Sequence, residues 1–109
     1  MSTIASTQSK NKKIIKLTTE RWLHITESHD YMAGYFHNVL ETINDPDYVL
    51  GGKKEELLAI KFYKKTHVGP KHLVCCYREN NKEGFVITAF MTSKIDTILK
   101  RRKILWRRQ

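Results

Sequence analysis

The chain has 109 residues and a mass of 12.9 kDa, which suits one small domain. Hydrophobic residues make up 40% and charged residues 28%, which excludes a disordered polymer, and the apolar runs fall far short of the roughly 20 residues of a membrane helix. Lysine and arginine outnumber aspartate and glutamate by 20 to 11, so the formal charge of +9 predicts an acidic partner: nucleic acid, a membrane surface or an acidic protein.

The first thirteen residues show no hydrophobic periodicity, and we expect a flexible tail over 1–13. This segment is rich in Ser, Thr, Lys and Asn and lacks the apolar stretch of an export signal. Cys75 and Cys76 are adjacent, so in a strand they point to opposite faces and are poorly placed to bridge each other. Both observations indicate a reducing compartment, and we expect a cytoplasmic protein.

Two helices are predicted after this tail. A short strand over 13–17 leads to the first helix, for which Thr18 or Thr19 offers an N-cap. A second helix begins at Asp30, and Pro46 ends it because a residue before proline avoids the helical conformation. Its apolar residues recur at i, i+3, i+4 and i+7, which predicts a core-facing stripe. The stripe consists of Phe36, Val39, Leu40 and Ile43.

The periodicity then changes to two, which indicates strands over 56–65, 72–79 and 85–91, separated by turns at Gly69-Pro70 and 80–84. A helix from Lys94 leads into the basic end. We therefore predict an α+β fold in which an N-terminal helix pair packs on a small antiparallel β-sheet meander, followed by a basic C-terminal helix. The expected organisation is one α+β domain over 14–93 and a basic helix or tail over 94–109.

The excess positive charge lies at the two ends of the chain. Segment 1–13 carries +3 and segment 100–109 carries +6, whereas 14–99 holds 11 basic and 11 acidic side chains. An acidic polymer is therefore expected to be held mainly by the C-terminal cluster, through contacts that weaken as salt rises. This cluster consists of Lys100, Arg101, Arg102, Lys103, Arg107 and Arg108.

Alternation within the strands predicts which side chains share a sheet face. The expected core residues are Leu58, Ile60 and Phe62 in the first long strand, and Phe85, Ile87, Ala89 and Met91 in the last. The opposite face is then expected to gather Lys61, Tyr63, Arg78, Thr88 and Thr92. A basic, hydroxyl-bearing face suits a phosphodiester backbone. The alternative is the ordinary solvated face of an antiparallel sheet.

The histidine spacing does not favour a metal site. His24 and His29 are five residues apart, which puts them about 140° apart on a helix, and adjacent cysteines lack the spacing of zinc ligands. We expect neither a metal nor another cofactor. Beside Arg21, the two histidines form a candidate proton-transfer group, and the alternative is that they are packed, hydrogen-bonded side chains.

Several segments, taken in order, resemble a known nuclease superfamily. They are Arg21-Trp22-Leu23-His24-Ile25, His29, the segment from Leu40 to Asp47, Tyr77-Arg78-Glu79, and the segment from Gly84 to Phe90. The set, which covers roughly residues 14–92, resembles phage-associated members of the barnase–EndoU–colicin–RelE-like nucleases. That family commonly has a Pro-acid pair after its second helix histidine, whereas Asp30-Tyr31 follow here.

The resemblance implies helices packed on a small antiparallel sheet and metal-independent cleavage of RNA by attack of the 2′-hydroxyl on the neighbouring phosphate. By position, His24 and His29 match the helix histidines, Arg78 the middle-strand arginine and Thr88 the last-strand hydroxyl. The face argument adds Lys61 as a catalytic residue and Tyr63 and Thr92, with Arg21, as RNA contacts. The expected protein is a toxin or phage effector whose partners are RNA and an acidic antitoxin or inhibitor.

Two other classes of function fit the same residues. A non-catalytic RNA-binding module would retain the basic cluster and the polar sheet face without turnover. A basic interaction domain would use its Trp106-bearing end to hold an acidic protein or an anionic membrane surface.

Overall fold

The computed structural model describes residues 2–109 and contains seven strands, three α-helices and one 3-10 helix. The strands are β1 (Thr3–Gln8), β2 (Ile14–Thr18), β3 (Tyr48–Gly51), β4 (Glu56–Tyr63), β5 (Lys71–Glu79), β6 (Glu83–Thr92) and β7 (Ile104–Arg107). The α-helices are α1 (Thr19–Ser28), α2 (Phe36–Asn44) and α3 (Ile95–Arg101), and the 3-10 helix spans Asp30–Gly34. None of the helices within this part of the chain is long and apolar enough to cross a bilayer.

All seven strands form one mixed sheet in the order β1-β2-β6-β5-β4-β3-β7. The pairing of β2 with β6 is parallel, and every other pairing is antiparallel. The predicted arrangement, an N-terminal helix pair on an antiparallel meander with a basic C-terminal helix, is therefore wrong. The chain begins with strands, the sheet is larger and mixed, and the chain ends in a strand.

The N-terminal segment is not the flexible tail that its composition predicts. Residues Thr3–Gln8 pair with β2 across a turn whose ends are joined by a hydrogen bond from Ser9 N–H to Lys13 C=O, 2.9 Å long. The turn is anchored by Glu79, which accepts hydrogen bonds from the Ser9 hydroxyl and, at 2.8 Å, from Asn11 Nδ2. The prediction from composition is wrong here because β1 is mostly exposed and is ordered by backbone pairing with β2.

The basic C-terminal end is likewise part of the sheet. Helix α3 ends at Arg101, and β7 then pairs antiparallel with β3. Gly51 N–H donates to Lys103 C=O and Arg108 N–H donates to Asp47 C=O, each at 2.9 Å. The segment 94–109 is therefore a short helix and an edge strand, whereas the sequence suggested a helix or tail.

The helix starts follow local sequence rules more closely. Thr18 caps α1, since its hydroxyl accepts the backbone N–H of Arg21 at 3.2 Å, and Glu20 lies in the first turn where the helix dipole favours an acid. The predicted second helix divides at Tyr35 into the 3-10 helix and α2. The apolar stripe of α2 packs inward as predicted, with Val39 and Ile43 fully buried.

The sheet has two covered faces, and we name each after its helix. The α2 face carries the larger cluster, in which Val39 and Ile43 of α2 pack with Ala59, Cys75 and Ala89. The α3 face carries a smaller cluster, in which Ile60 and Val74 pack with α3 through its residues Ile95, Ile98 and Leu99. Because both faces are covered, the strands do not show the simple alternation of a half-solvated sheet.

The sheet curves around α2. Strands β1 and β7 are its two edges, and flat strands about 4.8 Å apart would separate them by about 29 Å. Yet the Lys10 ammonium, just after β1, lies 4.8 Å from the ring centroid of Trp106 in β7. Helix α2 contacts the β1 side as well, because Thr7 Oγ1 donates to Leu40 C=O at 3.2 Å. The two sheet edges therefore approach each other across one end of α2.

Candidate functional site

A β-bulge in β6 decides which side chains meet on the α3 face. Tyr77 pairs with Val86 whereas Cys76 pairs with Thr88, so Ile87 is an extra residue. Val86 and Ala89 consequently both lie on the α2 face, although they are three residues apart. Phe85, predicted as core, turns to the α3 face and is 41% exposed.

Two of the predicted site residues, Lys61 and Tyr63, lie on the α2 face and not with Arg78. The pairing of β4 with β5 runs without interruption from Glu56 opposite Arg78 to Tyr63 opposite Lys71. Lys61 and Tyr63 are therefore out of phase with Glu56 and Arg78 and share a face with Ala59. The expectation that Lys61, Tyr63 and Arg78 share one face is wrong.

Lys61 is held in a cluster of opposite charges. Its ammonium donates to the carbonyl of Asp45 at 2.9 Å and to the Asp45 carboxylate at 3.1 Å, and its side chain is only 18% exposed. Arg108 completes the cluster, which we call the Asp45 clamp, with its Nη2 2.6 Å from Asp45 and its Nε 3.0 Å from Asp47. Hydrogen bonds from Arg108 and then from Lys61 lower the pKa of Asp45. This arrangement engages both Lys61 and Arg108 in the fold.

Tyr63 packs under α2. Its hydroxyl donates to the Glu41 carboxylate at 2.6 Å, and burial, followed by the bond to Glu41, raises the pKa of Tyr63. Thr92 is also remote from Arg78, because α3 covers the sheet rows between them. Its hydroxyl accepts the backbone N–H of Lys94 at 2.9 Å, immediately before α3.

Arg78 lies at the opposite end of the α3 face, in a row with Glu56 on β4 and Phe85 on β6. Its Nη2 donates to Lys54 C=O at 3.2 Å and lies 3.7 Å from the Glu56 carboxylate. Its Nε is buried and has no hydrogen-bond partner within residues 2–109. Arg78 is thus oriented by β4 while the guanidinium keeps a donor unused.

The next row of the α3 face contains Cys76 and, opposite it, Thr88. The Cys76 thiol donates to the Glu56 carboxylate at 3.4 Å. Burial raises the pKa of Cys76 to about 12, and the hydrogen bond to Glu56 and the charge of Glu56 raise it further. The positive charges of Arg102 and Arg78 lower it. Arg102, which caps the end of α3, is therefore a neighbour of this row.

Helix α1 forms the other wall of this surface. Thr18, Glu20, Arg21, His24 and Phe85 line an open cleft of about 460 Å³, which we call the α1 cleft. His24 and Arg21 occupy successive turns of α1, and Phe85 forms the sheet side of the cleft. Phe85 is also the cross-strand neighbour of Arg78, so its ring borders both the cleft that His24 lines and the Arg78 row.

His29 approaches the same face two rows farther along β6, at Phe90. As the residue that ends α1 it has left the helical conformation, with φ −137° and ψ 80°, and its ring centroid lies 5.9 Å from that of Phe90. The Tyr31 hydroxyl lies 3.4 Å from His29 Nδ1 and accepts the Met91 N–H at 3.1 Å. His29 is therefore connected to β6 near Thr88, which lies two residues before Phe90.

The remaining residues of the basic cluster are dispersed. Arg107 lies over the Tyr48 ring, 5.9 Å from its centroid, and Arg108 belongs to the Asp45 clamp. Lys100, Arg101 and Lys103 are exposed around the end of α3. Of this cluster, Arg102 is the residue that the structure connects with the Arg78 row.

The arrangement combines the His24 imidazole, cations and an exposed aromatic ring at one end of the α3 face, with the His29 imidazole two rows farther along β6. Imidazoles transfer protons near neutral pH, guanidinium groups stabilise phosphate charge, and aromatic rings stack on bases. Sequence reasoning did not identify Phe85, Glu56 or Tyr31 as site residues. The aromatic residue after Gly84 was a usable signal, but strand alternation assigned it to the core. No cluster of three or more His, Cys, Asp or Glu side chains placed to hold a metal ion occurs within residues 2–109.

Comparison with known proteins gives one match. A family model described as phage-Barnase-EndoU-ColicinE5/D-RelE like nuclease2 matches residues 3–107. The matched segment runs from the first residue of β1 to the last residue of β7, so both terminal strands lie within it. No curated protein and no solved structure matches the chain.

Proposed function

The chain belongs to the phage-Barnase-EndoU-ColicinE5/D-RelE like nuclease family, and from this we propose that it is a metal-independent endoribonuclease with its active site between α1 and the Arg78 row. The observation that carries the proposal is that Phe85 lines one cleft with His24 and is also the cross-strand partner of Arg78. A nuclease that uses no metal needs groups that move protons and groups that stabilise phosphate charge, and both kinds of side chain occur at this surface.

The proposed reaction is an internal transfer at phosphorus. The 2′-oxygen loses its proton to a base and bonds to the adjacent phosphorus, while the bond from phosphorus to the 5′-oxygen breaks. That oxygen takes a proton from an acid, so the products carry a 2′,3′-cyclic phosphate and a 5′-hydroxyl. His24 and His29 are the proposed base and acid, in an order that the pH dependence of the variants would give.

The cations have the complementary role in this proposal. Arg78 and Arg102 stabilise the charge that develops on the phosphate oxygens, Thr88 donates a hydrogen bond to the phosphate, and Arg21 holds a neighbouring phosphate. The Glu56 carboxylate and the Lys54 carbonyl orient Arg78. Lys61 has no part in this reaction, because the Asp45 clamp holds it on the other face.

We expect the purified chain to cleave unstructured RNA in the presence of EDTA and to leave 2′,3′-cyclic phosphate ends. His24→Ala, His29→Ala and Arg78→Ala should each lower kcat/KM by about 100-fold or more. His37→Ala, which alters an exposed histidine of α2, is the matched control and should cleave at the wild-type rate.

Three results would contradict the proposal. Cleavage that EDTA abolishes would refute metal independence, and equal cleavage of a DNA strand of the same sequence would refute attack by a 2′-hydroxyl. Salt-dependent RNA binding without turnover would favour the non-catalytic alternative. A toxin role and an acidic inhibitor remain part of the proposal, and co-purification with a neighbouring acidic protein that blocks cleavage would support them.

A further inference from the structure

Phe85 is a partly exposed aromatic residue that lies outside the hydrophobic clusters of the folded chain. It belongs to neither hydrophobic cluster, and no other aromatic ring within residues 2–109 stacks on it. The residue is 41% exposed at the floor of the α1 cleft. An aromatic ring kept open at the floor of a cleft is available to a ligand.

The backbone fixes this ring in position. The β-bulge at Ile87 turns Phe85 onto the α3 face, and the preceding Gly84 lies against β5. A Cβ atom on Gly84 would come within 1.9 Å of the Arg78 carbonyl oxygen, so only glycine permits this approach of the two strands. The position of Phe85 relative to Arg78 is therefore determined by the sheet and not by a mobile loop.

The groups around the ring are suited to a nucleotide. Arg21 and His24 lie on its α1 side, together with the Glu20 carboxylate, and Arg78 lies on its β5 side. Cationic or imidazole groups therefore flank an apolar surface from two directions. A nucleotide presents the complementary pattern, with an apolar face on the base and negative charge on the phosphates at each side. Base stacking on an aromatic ring together with phosphate contacts is the usual chemistry of single-strand recognition.

Phe62 is a useful comparison, since it is equally exposed, at 45%, and lies on the α3 face at the end remote from Arg78. Its ring is already packed by His72, with centroids 5.0 Å apart. The α1 cleft does not include it. Exposure alone therefore does not distinguish the two rings, whereas the surrounding charges and the open ring face do.

We propose that Phe85 is the platform on which an unpaired nucleobase stacks next to the scissile phosphate, so that the substrate is single-stranded RNA. Bases inside a duplex are stacked on one another, and their faces are closed to a protein side chain. The specificity for unpaired RNA rests on the proposed endoribonuclease function, but the stacking itself does not.

Binding is measured with a short 2′-O-methyl RNA that contains 2-aminopurine and cannot undergo attack by a 2′-hydroxyl. We expect the wild-type protein to quench the fluorescence of this base on binding, and Phe85→Leu to abolish the quenching. The affinity should fall about 5- to 100-fold, which corresponds to the usual value of one base–aromatic stack. Phe85→Trp should restore both the quenching and the affinity, and Phe62→Leu should behave as wild type.

Cleavage is measured separately, on an unstructured RNA and on the same sequence in a duplex. We expect wild-type protein to cleave the single strand and to spare the duplex, and Phe85→Leu to raise KM with a smaller effect on kcat. Melting curves of each variant establish that the protein is folded.

The two measurements separate the two proposals. An inactive protein that still quenches 2-aminopurine through Phe85 would refute the endoribonuclease and retain the platform. If the protein cleaves RNA but Phe85→Leu leaves the affinity, the 2-aminopurine quenching and KM unchanged, the stacking role of Phe85 would be refuted. Cleavage of duplex RNA at the rate of single-stranded RNA would also overturn it.

Discussion

Tyr31 connects one proposed catalytic histidine to the sheet. Its hydroxyl accepts the Met91 N–H, and its own proton is free to be donated to His29 Nδ1. A neutral imidazole that accepts at Nδ1 carries its proton on Nε2. We infer that Tyr31 is a positioning residue, which sets both the orientation and the tautomer of His29.

Tyr31→Phe should lower kcat about tenfold with little change in KM, because the substrate contacts remain while His29 loses its orientation. The lost bond to Met91 should also cost about 1 kcal/mol of stability. Kinetics of Tyr31→Phe, His29→Ala and the double variant measure the coupling, and Tyr31→Phe should add nothing once His29 is absent. Fully additive losses would show that Tyr31 acts independently of His29.

Tyr35→Phe provides the matched control for this experiment. Tyr35 also pairs with a histidine, His67, at 2.7 Å, and neither residue lines the α1 cleft or belongs to the Arg78 row. We expect its removal to leave kcat unchanged.

Single residues also mark the limit of prediction from sequence. The motif predicts His24, His29 and Arg78 as site residues, and Phe85 connects the cleft that His24 lines with the Arg78 row. Lys61 was grouped with them because its strand alternates, but alternation does not fix the phase between two strands. Phe85 was misassigned because the bulge changes the phase within β6, and a bulge depends on pairing with β5 rather than on the residues of β6 alone.

At the scale of elements, the Asp45 clamp joins the end of α2 to β4 and β7. Asp45 follows α2 directly, Lys61 lies in β4, and Arg108 follows β7. The clamp therefore stabilises the attachment of an edge strand whose own burial is small. Local propensity predicts α2 and β4 correctly. Strand β7 is short and basic, and it is ordered by its pairing with β3 and by the Asp45 clamp, which sequence periodicity does not reveal.

Asp45→Asn should lower the melting temperature at neutral pH by about 2–5 °C, because partly exposed ion pairs contribute modestly. The folded state lowers the pKa of Asp45 below its usual 3.8, so its contribution is complete above that value and is lost as pH falls through the folded-state pKa. The difference between wild type and variant should therefore shrink as the pH falls below 3.8 and disappear once the pH is below the folded-state pKa.

Melting curves from pH 2 to pH 7 test this prediction. Glu27→Gln is the control, since Glu27 is exposed on α1 and has no ion pair within the described residues. A difference for Asp45→Asn that stays constant across the whole range would show that the carboxylate charge does not carry the effect.

For the whole molecule, the basic ends are structural as well as charged. The sequence suggested that the charge of 100–109 is separable from the fold, since 14–99 is balanced. In the structure, β7 completes the sheet, and Trp106 meets Lys10 from the other edge. Removal of residues 103–109 therefore removes the edge strand β7, the Arg108 ion pairs of the Asp45 clamp and the contact of Lys10 with Trp106.

Deletion of residues 103–109 should lower the melting temperature by about 10 °C or more, since it removes several backbone hydrogen bonds and the clamp at once. The variant Lys100→Gln/Arg101→Gln removes comparable charge from exposed positions of α3 and should melt like wild type while binding RNA less tightly. If the truncated chain melted like wild type and lost only RNA affinity, the terminal strand would be dispensable for folding.

The parallel pairing of β2 with β6 has a consequence for the time at which the protein becomes active. Residues 14–16 pair with 83–85, so α1 cannot take its final position on the sheet until residues 83–85 have been synthesised. His24 lies in α1, just after β2, whereas Phe85 lies in β6. The α1 cleft therefore does not exist in a nascent chain that stops short of β6. On the ribosome, surrounded by RNA, the growing polypeptide is thus without its proposed active site until β6 has been synthesised.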